Sequence, residues 1–169
     1  MTIIEKYYAM NEALNIALKA YSITARVYKY GAVPEKVSYP YFQSSYRVTN
    51  RQPYGKKSTG TLTDFEYTLN FFTAAATDEA NDESLFIPYE AARELITLPD
   101  SFIWSAALVT VLKHDETPRF DFKGGLEVLQ RGLVFECQTV TTHVLTIPAG
   151  KEVSNDEVAE TIKLSLTEV

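Results

Sequence analysis

The sequence predicts a single α+β domain in which a mostly antiparallel sheet packs against an N-terminal helix and a second short helix. Three observations lead to this fold class. The first twenty residues repeat apolar side chains at helical spacing, several later segments alternate between apolar and polar residues, and no stretch has the composition of an interdomain linker. At 169 residues the chain has the length of about one domain. We therefore interpret residues 1–169 as one unit, with residues 148–169 as a candidate C-terminal extension.

The first element is a helix predicted over residues 3–20. Its apolar stripe is spaced by three or four positions and comprises Ile3, Tyr7, Met10, Leu14, Ala17, Leu18 and Tyr21. Core packing is the favoured role of this stripe, and binding of a partner is the alternative. The next segment, TARVYKY, alternates and predicts a strand that ends at Gly31.

A long β-hairpin is predicted next. The segment VSYPYFQSSYRVT, residues 37–49, contains a proline whose preceding residue is pushed towards extended backbone. In the second strand one face comprises Phe65, Tyr67, Leu69 and Phe71, and the other comprises Glu66, Thr68 and Asn70. This alternation is the pattern of a half-buried strand.

Between these strands, NRQPYGKKSTG predicts an exposed hairpin tip, because it combines a proline and two glycines with basic residues. GKKSTG shares composition with a phosphate-binding P-loop. However, Asn50 stands where that motif needs its first glycine, Lys57 stands where it needs Ser or Thr, and the segment leads into a strand. We therefore predict a displayed basic loop, either as a solvated tip or as a contact with an acidic neighbouring subunit.

The second half of the chain predicts a loop, a helix and further strands. The acidic segment ATDEANDES, residues 76–84, predicts a solvated loop. IPYEAARELITL predicts a helix near residues 88–98, with Pro88 in its first turn and a stripe of Ile87, Ala91, Leu95 and Leu98. Pro99 marks its end. SFIWSAALVTVLKHD, residues 101–115, predicts an apolar strand with Trp104 in the core.

The remaining segments predict two or three strands, turned near Gly124 and Gly125 and bent near Gly132. KHDETP, which precedes them, has the composition of a turn between strands. The last twenty residues fit a short helix and a strand equally well.

No catalytic, cofactor-binding or metal-binding residue is predicted, and no cofactor is expected. His114, Asp115 and Glu116 form the densest group of acid–base side chains, and His143 is the other histidine. Nothing in their spacing requires a metal or a proton-transfer role. Cys137 is the single cysteine and lies in an alternating segment, which predicts a buried thiol rather than a reactive one.

Charge and hydropathy exclude two classes of partner. The net charge of −6 argues against general nucleic-acid binding, because such binding depends on neutralising phosphates with Lys and Arg. No apolar run approaches the length needed to span a bilayer. The first residues lack the basic and apolar regions of a signal peptide, so we expect a soluble, cytosolic product.

The order of these elements resembles that of the tail terminator, or tail completion, proteins of long-tailed bacteriophages. The likeness covers about residues 3–142. It rests on the N-terminal helix, the following strand, the YPYF segment, the long hairpin into TDFEYTLNFFT, the short helix near residues 88–98 and the late strand RGLVFECQTV. The chain is longer than many members of that family, with a larger hairpin loop and residues after Pro148.

The resemblance implies a non-enzymatic virion protein, made in the host cytoplasm, that forms a ring of about six subunits at the head-proximal end of the tail. Its implied partners are further copies of itself, the tail tube protein and a head-side connector, with DNA passing through the ring without sequence-specific contacts. We predict Arg51, Tyr54, Lys56 and Lys57 as subunit-contact residues. The alternative is a small monomeric binding or regulatory module that uses an aromatic sheet face. An enzyme built around His114 and His143 is the least favoured hypothesis.

Overall fold

The structure is a computed structural model that describes residues 1–55, 60–75, 83–98, 101–122 and 127–142. It confirms the predicted α+β class, with a mostly antiparallel sheet, an N-terminal helix and further short helices. The elements are α1 Ile3–Ala20, β1 Arg26–Lys29, β2 Tyr41–Tyr54, β3 Gly60–Ala75, α2 Ile87–Thr97, α3 Phe102–Ala107, β4 Thr110–Phe122 and β5 Glu127–Thr142. A single 3₁₀ turn, Glu83–Phe86, leads into α2.

The five strands form one sheet in the order β1-β2-β3-β5-β4. β1 pairs with β2 in parallel, and the other three pairings are antiparallel. Among the described strands β1 and β4 are therefore the outermost, and they lie on opposite sides of the sheet.

Helix α1 begins and ends as its sequence dictates. Thr2 and Glu5 form a reciprocal capping box at its N-terminus, which satisfies backbone N–H groups that have no partner within the helix. Most of the predicted stripe is buried, including Met10 and Leu14. Tyr21, the last residue of that stripe, is 67% exposed because the helix ends before it.

All three helices pack on one face of the sheet. Phe65, Tyr67, Leu69 and Phe71 face this core, as their alternation predicts. The ring of Trp104 in α3 lies 5.9 Å from that of Tyr67 and 4.9 Å from that of Phe135. The ring of Tyr89 in α2 lies 6.0 Å from that of Phe71. The prediction that Trp104 belongs to the core is confirmed.

Buried hydrogen bonds fix α1 against the sheet. The Tyr67 hydroxyl donates to Asn11 Oδ1 at 2.8 Å, and the Tyr7 hydroxyl donates to the Ser44 carbonyl at 2.8 Å. The Lys6 ammonium donates to the Ala107 carbonyl at 2.8 Å and thereby caps the end of α3. Burial lowers the pKa of Lys6. These contacts give α1 one register on the sheet, since a shift would leave buried polar atoms without partners.

The predicted strand over residues 101–115 is wrong in its first half. Residues Phe102–Ala107 form α3 instead, and β4 begins at Thr110. The short helix buries Ile103, Trp104 and Ala107, and Leu108 ends it in the left-handed conformation with φ 52°. Its apolar run resembles a buried strand in composition, and only packing against α1 distinguishes the two.

The predicted turn at KHDETP is also wrong, because these residues continue β4. Residues 112–116 are exposed, so an edge strand here has the composition of a turn. The bend predicted near Gly132 is wrong, because β5 runs unbroken through this residue. The irregularity lies instead in β4, where the pairing register shifts between Thr117 and Phe120. Pro118 stands within that irregularity, where a missing N–H is tolerated.

The helix predicted near residues 88–98 is confirmed, with Pro88 in its first turn. Its buried face is not centred on the stripe that identified the helix. Tyr89, Ala92 and Ile96 are buried, whereas Ile87 and Leu98 are 64% and 60% exposed. Two apolar stripes with helical spacing share this segment, and the sheet selects the one that carries Tyr89.

Other predictions lie wholly or mostly outside the described residues. These are most of the loop ATDEANDES, the turn at Gly124 and Gly125, His143 and the C-terminal residues 143–169. Glu83 and Ser84, at the end of that loop, begin the 3₁₀ turn.

Candidate interaction surfaces

The predicted hairpin is formed by β2 and β3, which pair from Tyr41 and Phe72 to Tyr54 and Gly60. Alternate residues are buried at the start of β2, but every residue from 49 to 54 is exposed. Gly55 follows with φ +85°, a conformation that glycine adopts without steric cost. Residues 49–55 and their partners 60–64 form the hairpin arm, whose β2 strand is open on both faces.

The hairpin arm carries two of the four predicted contact residues, Arg51 and Tyr54. Arg51 pairs with Thr63 and Tyr54 pairs with Gly60, so the two side chains belong to opposite faces of the arm. Tyr54 is 51% exposed. Lys56 and Lys57 lie outside the described residues. The structure therefore places one cation and one aromatic ring on the arm.

Carboxylates near the arm are already hydrogen-bonded. Asp64 accepts from Asn50 at 3.1 Å and from Gln138 at 2.8 Å. Glu66 accepts from Arg47 at 3.2 Å. Arg51 has no ion pair among the residues that the structure describes.

The face of the sheet that no described helix covers, here called the helix-free face, bears a charged row across four strands. Arg47, Glu66, Glu136 and Lys113 are successive register partners on β2, β3, β5 and β4. The two carboxylates lie side by side, and each has a cation on its outer flank, at 3.2 Å for Arg47 and 3.8 Å for Lys113. Each cation offsets the repulsion that two opposed carboxylates would otherwise produce.

An aromatic cluster of Tyr28, Tyr39, Tyr41 and Phe72 occupies the end of the same face that is distant from the hairpin arm. The rings of Tyr41 and Phe72 are stacked, with centroids 5.0 Å apart and planes 16° from parallel. Tyr39 is 39% exposed. The other three rings of the cluster are half-buried.

The acid–base group identified in the sequence is spread along an edge strand. His114, Asp115 and Glu116 are all exposed on β4. Asp115 pairs with Lys113 at 2.8 Å, and Glu116 pairs with Arg93 of α2. Within the described ranges no three His, Cys, Asp or Glu side chains are placed to hold a metal ion. The charged members of this group form ion pairs on the surface.

Cys137 is buried in β5, as its alternating neighbours predict. Burial raises the pKa of its thiol to about 12. The protonated thiol lies 3.7 Å from the Phe135 carbonyl, to which it donates. A thiol that stays protonated at neutral pH is a poor nucleophile.

An apolar groove of about 570 Å³ lies between the end of α1 and α2, and the sequence did not indicate it. Tyr21, Ile87 and Leu98 line it and are mostly exposed. The sequence signal that could have indicated the groove is the stripe of Ile87, Ala91, Leu95 and Leu98, which served only as evidence for a helix.

Comparison with known proteins adds no assignment: no protein-family model matches this chain, and neither does any curated protein. None of the helices in the described part of the chain combines the length and the apolar character needed to cross a membrane.

Proposed function

We propose that this chain is a structural virion subunit, which forms a ring at the head-proximal end of a phage tail tube, ends tube polymerisation and joins tail to head. The observation that carries the proposal is the hairpin arm. Its β2 strand is exposed on both faces and ends in Arg51, Tyr54 and a glycine turn. A long strand pair that leaves one of its strands uncovered is suited to burial against another molecule.

In the proposed ring the hairpin arm of each subunit lies against the next subunit. Arg51, which has no ion pair among the described residues, supplies a cation for an acidic neighbour. Tyr54 supplies aromatic area with a polar tip, a combination that suits subunit contacts. Contacts of this head-to-tail kind close into a ring when the rotation between subunits allows it.

The test removes the chain from the phage that encodes it, with a stop codon early in its reading frame. We expect tails of abnormal length that carry no heads, and normal particles when the wild-type chain is supplied in trans. Normal tails joined to heads in the absence of the chain would contradict the proposal. Electron microscopy of the lysate measures both tail length and head attachment.

The predicted contact at the segment that joins β2 and β3 is tested in the same phage by Lys56→Glu with Lys57→Glu. We expect this variant to fail in complementation, because reversed charge in this segment repels an acidic neighbour. The matched control is Lys56→Arg with Lys57→Arg, which keeps the charge and should complement. Equal complementation by both variants would exclude these two lysines from the contact while leaving the ring proposal untouched.

A second candidate function is a small binding module that uses the aromatic cluster for a peptide or small ligand. The stacked pair of Tyr41 and Phe72 on an uncovered sheet face favours it. This function predicts that Tyr41→Ala abolishes binding of a ligand found by screening, whereas Arg51→Ala does not. Failure of complementation by Arg51→Ala but not by Tyr41→Ala would favour the ring instead.

A further inference from the structure

Among the side chains that the structure describes, the two edges of the sheet carry opposite unbalanced charge. The β1 side consists of β1 and the part of α1 beside it, which together line a groove of about 770 Å³. Lys19, Arg26 and Lys29 line this groove, all are exposed, and none pairs with a carboxylate among the described residues. Glu12 is the carboxylate on the same lining. The β1 side therefore has surplus positive charge.

The β4 side consists of β4 with the adjoining side chains of α2 and β5. Among its described groups the carboxylates outnumber the cations, because each cation contacts two carboxylates. Lys113 is divided between Asp115 at 2.8 Å and Glu136 at 3.8 Å. Arg93 is divided between Glu90 at 3.0 Å and Glu116. These four carboxylates are 46–64% exposed, so they can accept further cations. Arg131 does not neutralise this surplus of carboxylates, because it contacts a further carboxylate, Glu83, as well as Glu90.

The charges also match by face. Arg26 lies on the helix-free face of β1, because its partner is Tyr41, and Asp115 lies on the same face of β4, opposite Val134. Lys29 lies on the helix-bearing face, 3.8 Å above the ring of Tyr8, and Glu116 lies on that face of β4, beside Arg93. Two copies placed edge to edge, with the β1 side of one against the β4 side of the other, would bring cation to carboxylate on both faces.

The backbone of β1 does not offer an open edge for strand addition. The N–H and C=O groups of Val27 are taken by the Asn15 side chain, at 2.8 Å and 3.2 Å. A partner at this edge therefore contacts side chains. Both sides also expose apolar groups, with Tyr8 and Ile16 in the groove and Leu112, 57% exposed, on β4.

We infer that the β1 side of one copy of this chain binds the β4 side of the next copy. The contact has an apolar centre with a charged rim, and it is head-to-tail, so it propagates around a ring. This inference rests on the proposed ring function and names the surfaces that join its subunits laterally. The hairpin arm is then a second contact of the same ring.

The test is a charge swap, read as the mass of the purified full chain by sedimentation over a range of concentrations at low salt. Arg26→Glu with Lys29→Glu makes both sides acidic, and Asp115→Lys with Glu116→Lys makes both sides basic. We expect each pair to raise the apparent dissociation constant by more than about tenfold, because like charges then face each other. Added salt should weaken association of the wild type.

The matched control combines all four substitutions in one chain. This variant has the net charge of the wild type and carries every local change, but its two sides are complementary again. We expect it to associate like the wild type, and we expect an equal mixture of the two paired variants to associate as well. Circular dichroism and thermal unfolding check that each variant is folded.

Three outcomes overturn the inference: a wild-type chain that stays monomeric at low salt, single-side variants that associate normally, or a folded four-fold variant that does not regain association. None of these decides the phage experiment, since a ring could be held by the hairpin arm alone. Conversely, lateral association in a chain whose loss leaves tails normal would retain the inference and remove the proposed function.

Discussion

At the scale of single residues, Cys137 links burial to the pH dependence of stability. Its folded pKa is raised to about 12 from an ordinary value of 9.0. Between these values the unfolded thiol ionises while the folded one keeps its proton. The stabilisation that the buried thiol gives the folded state is therefore fully present below pH 9 and is lost as the pH rises towards 12. Burial also raises the pKa of Tyr67, which adds to the loss at higher pH.

We predict that Cys137→Ala flattens this alkaline loss of stability. The free energy of unfolding of the wild type should fall above pH 9 by up to about 1.4 kcal/mol per pH unit more steeply than that of the variant. Urea unfolding at a series of pH values measures the difference, and Tyr67, present in both proteins, cancels in it. Parallel pH profiles for the two proteins would show that the thiol is not protected by the fold.

The burial of a residue can be predicted from the sequence when the local pattern alone determines which way its side chain faces. Cys137 and Trp104 are buried as predicted, because Cys137 occupies an inward position of an alternating segment and Trp104 lies in an apolar run. Tyr21 fits the helical stripe but is exposed, because the chain leaves the helix one residue earlier. The polar partners of Tyr7 and Lys6 lie 37 and 101 positions away in the chain, and no local pattern announces contacts of that range.

At the scale of elements, the Asn15 side chain hydrogen-bonds the backbone of β1 in place of a neighbouring strand. Its side-chain amide accepts from the Val27 N–H and donates to the Val27 carbonyl, as a neighbouring peptide group would. β1 is only four residues long and has a backbone partner on one side. The amide therefore contributes to holding β1 between β2 and α1.

We predict that Asn15→Ala loosens β1 without unfolding the sheet. The Val27 amide should exchange its hydrogen faster, and the free energy of unfolding should fall by about 1 kcal/mol, the typical net value of a hydrogen bond. Hydrogen exchange followed by NMR measures the first effect. Asn15→Asp is the matched control, because it retains the acceptor for the Val27 N–H and should give an intermediate rate. An unchanged exchange rate of the Val27 amide in the alanine variant would show that the Asn15 side chain does not stabilise β1.

Elements could be predicted from the sequence where their periodicity is unambiguous. Residues 3–20 and the alternation of β3 are examples, and both match the structure. α3 was missed because six residues with aromatic and β-branched content have too little length to show helical periodicity. KHDETP was misassigned because an edge strand exposed on both faces has the polarity of a turn.

At the scale of the whole molecule, the fold separates the two faces and the two edges of the sheet. The helices cover one face of the sheet, the charged row and the aromatic cluster occupy the other, and the two edges differ in charge. The sequence predicted a basic hairpin contact but not the polarity between the edges. Lys29 and Glu116 are far apart in the chain, and only the strand order β1-β2-β3-β5-β4 places them on opposite sides.

The most direct test of the central claim uses tail tubes purified from the same phage without heads. The purified chain is added to tubes that are elongating from their subunits, and electron microscopy records tube length and end density. The proposed function predicts that growth stops and that a ring-shaped density appears at one end of each tube. Tubes that reach the same length with and without the chain, and whose ends are unchanged, would contradict it.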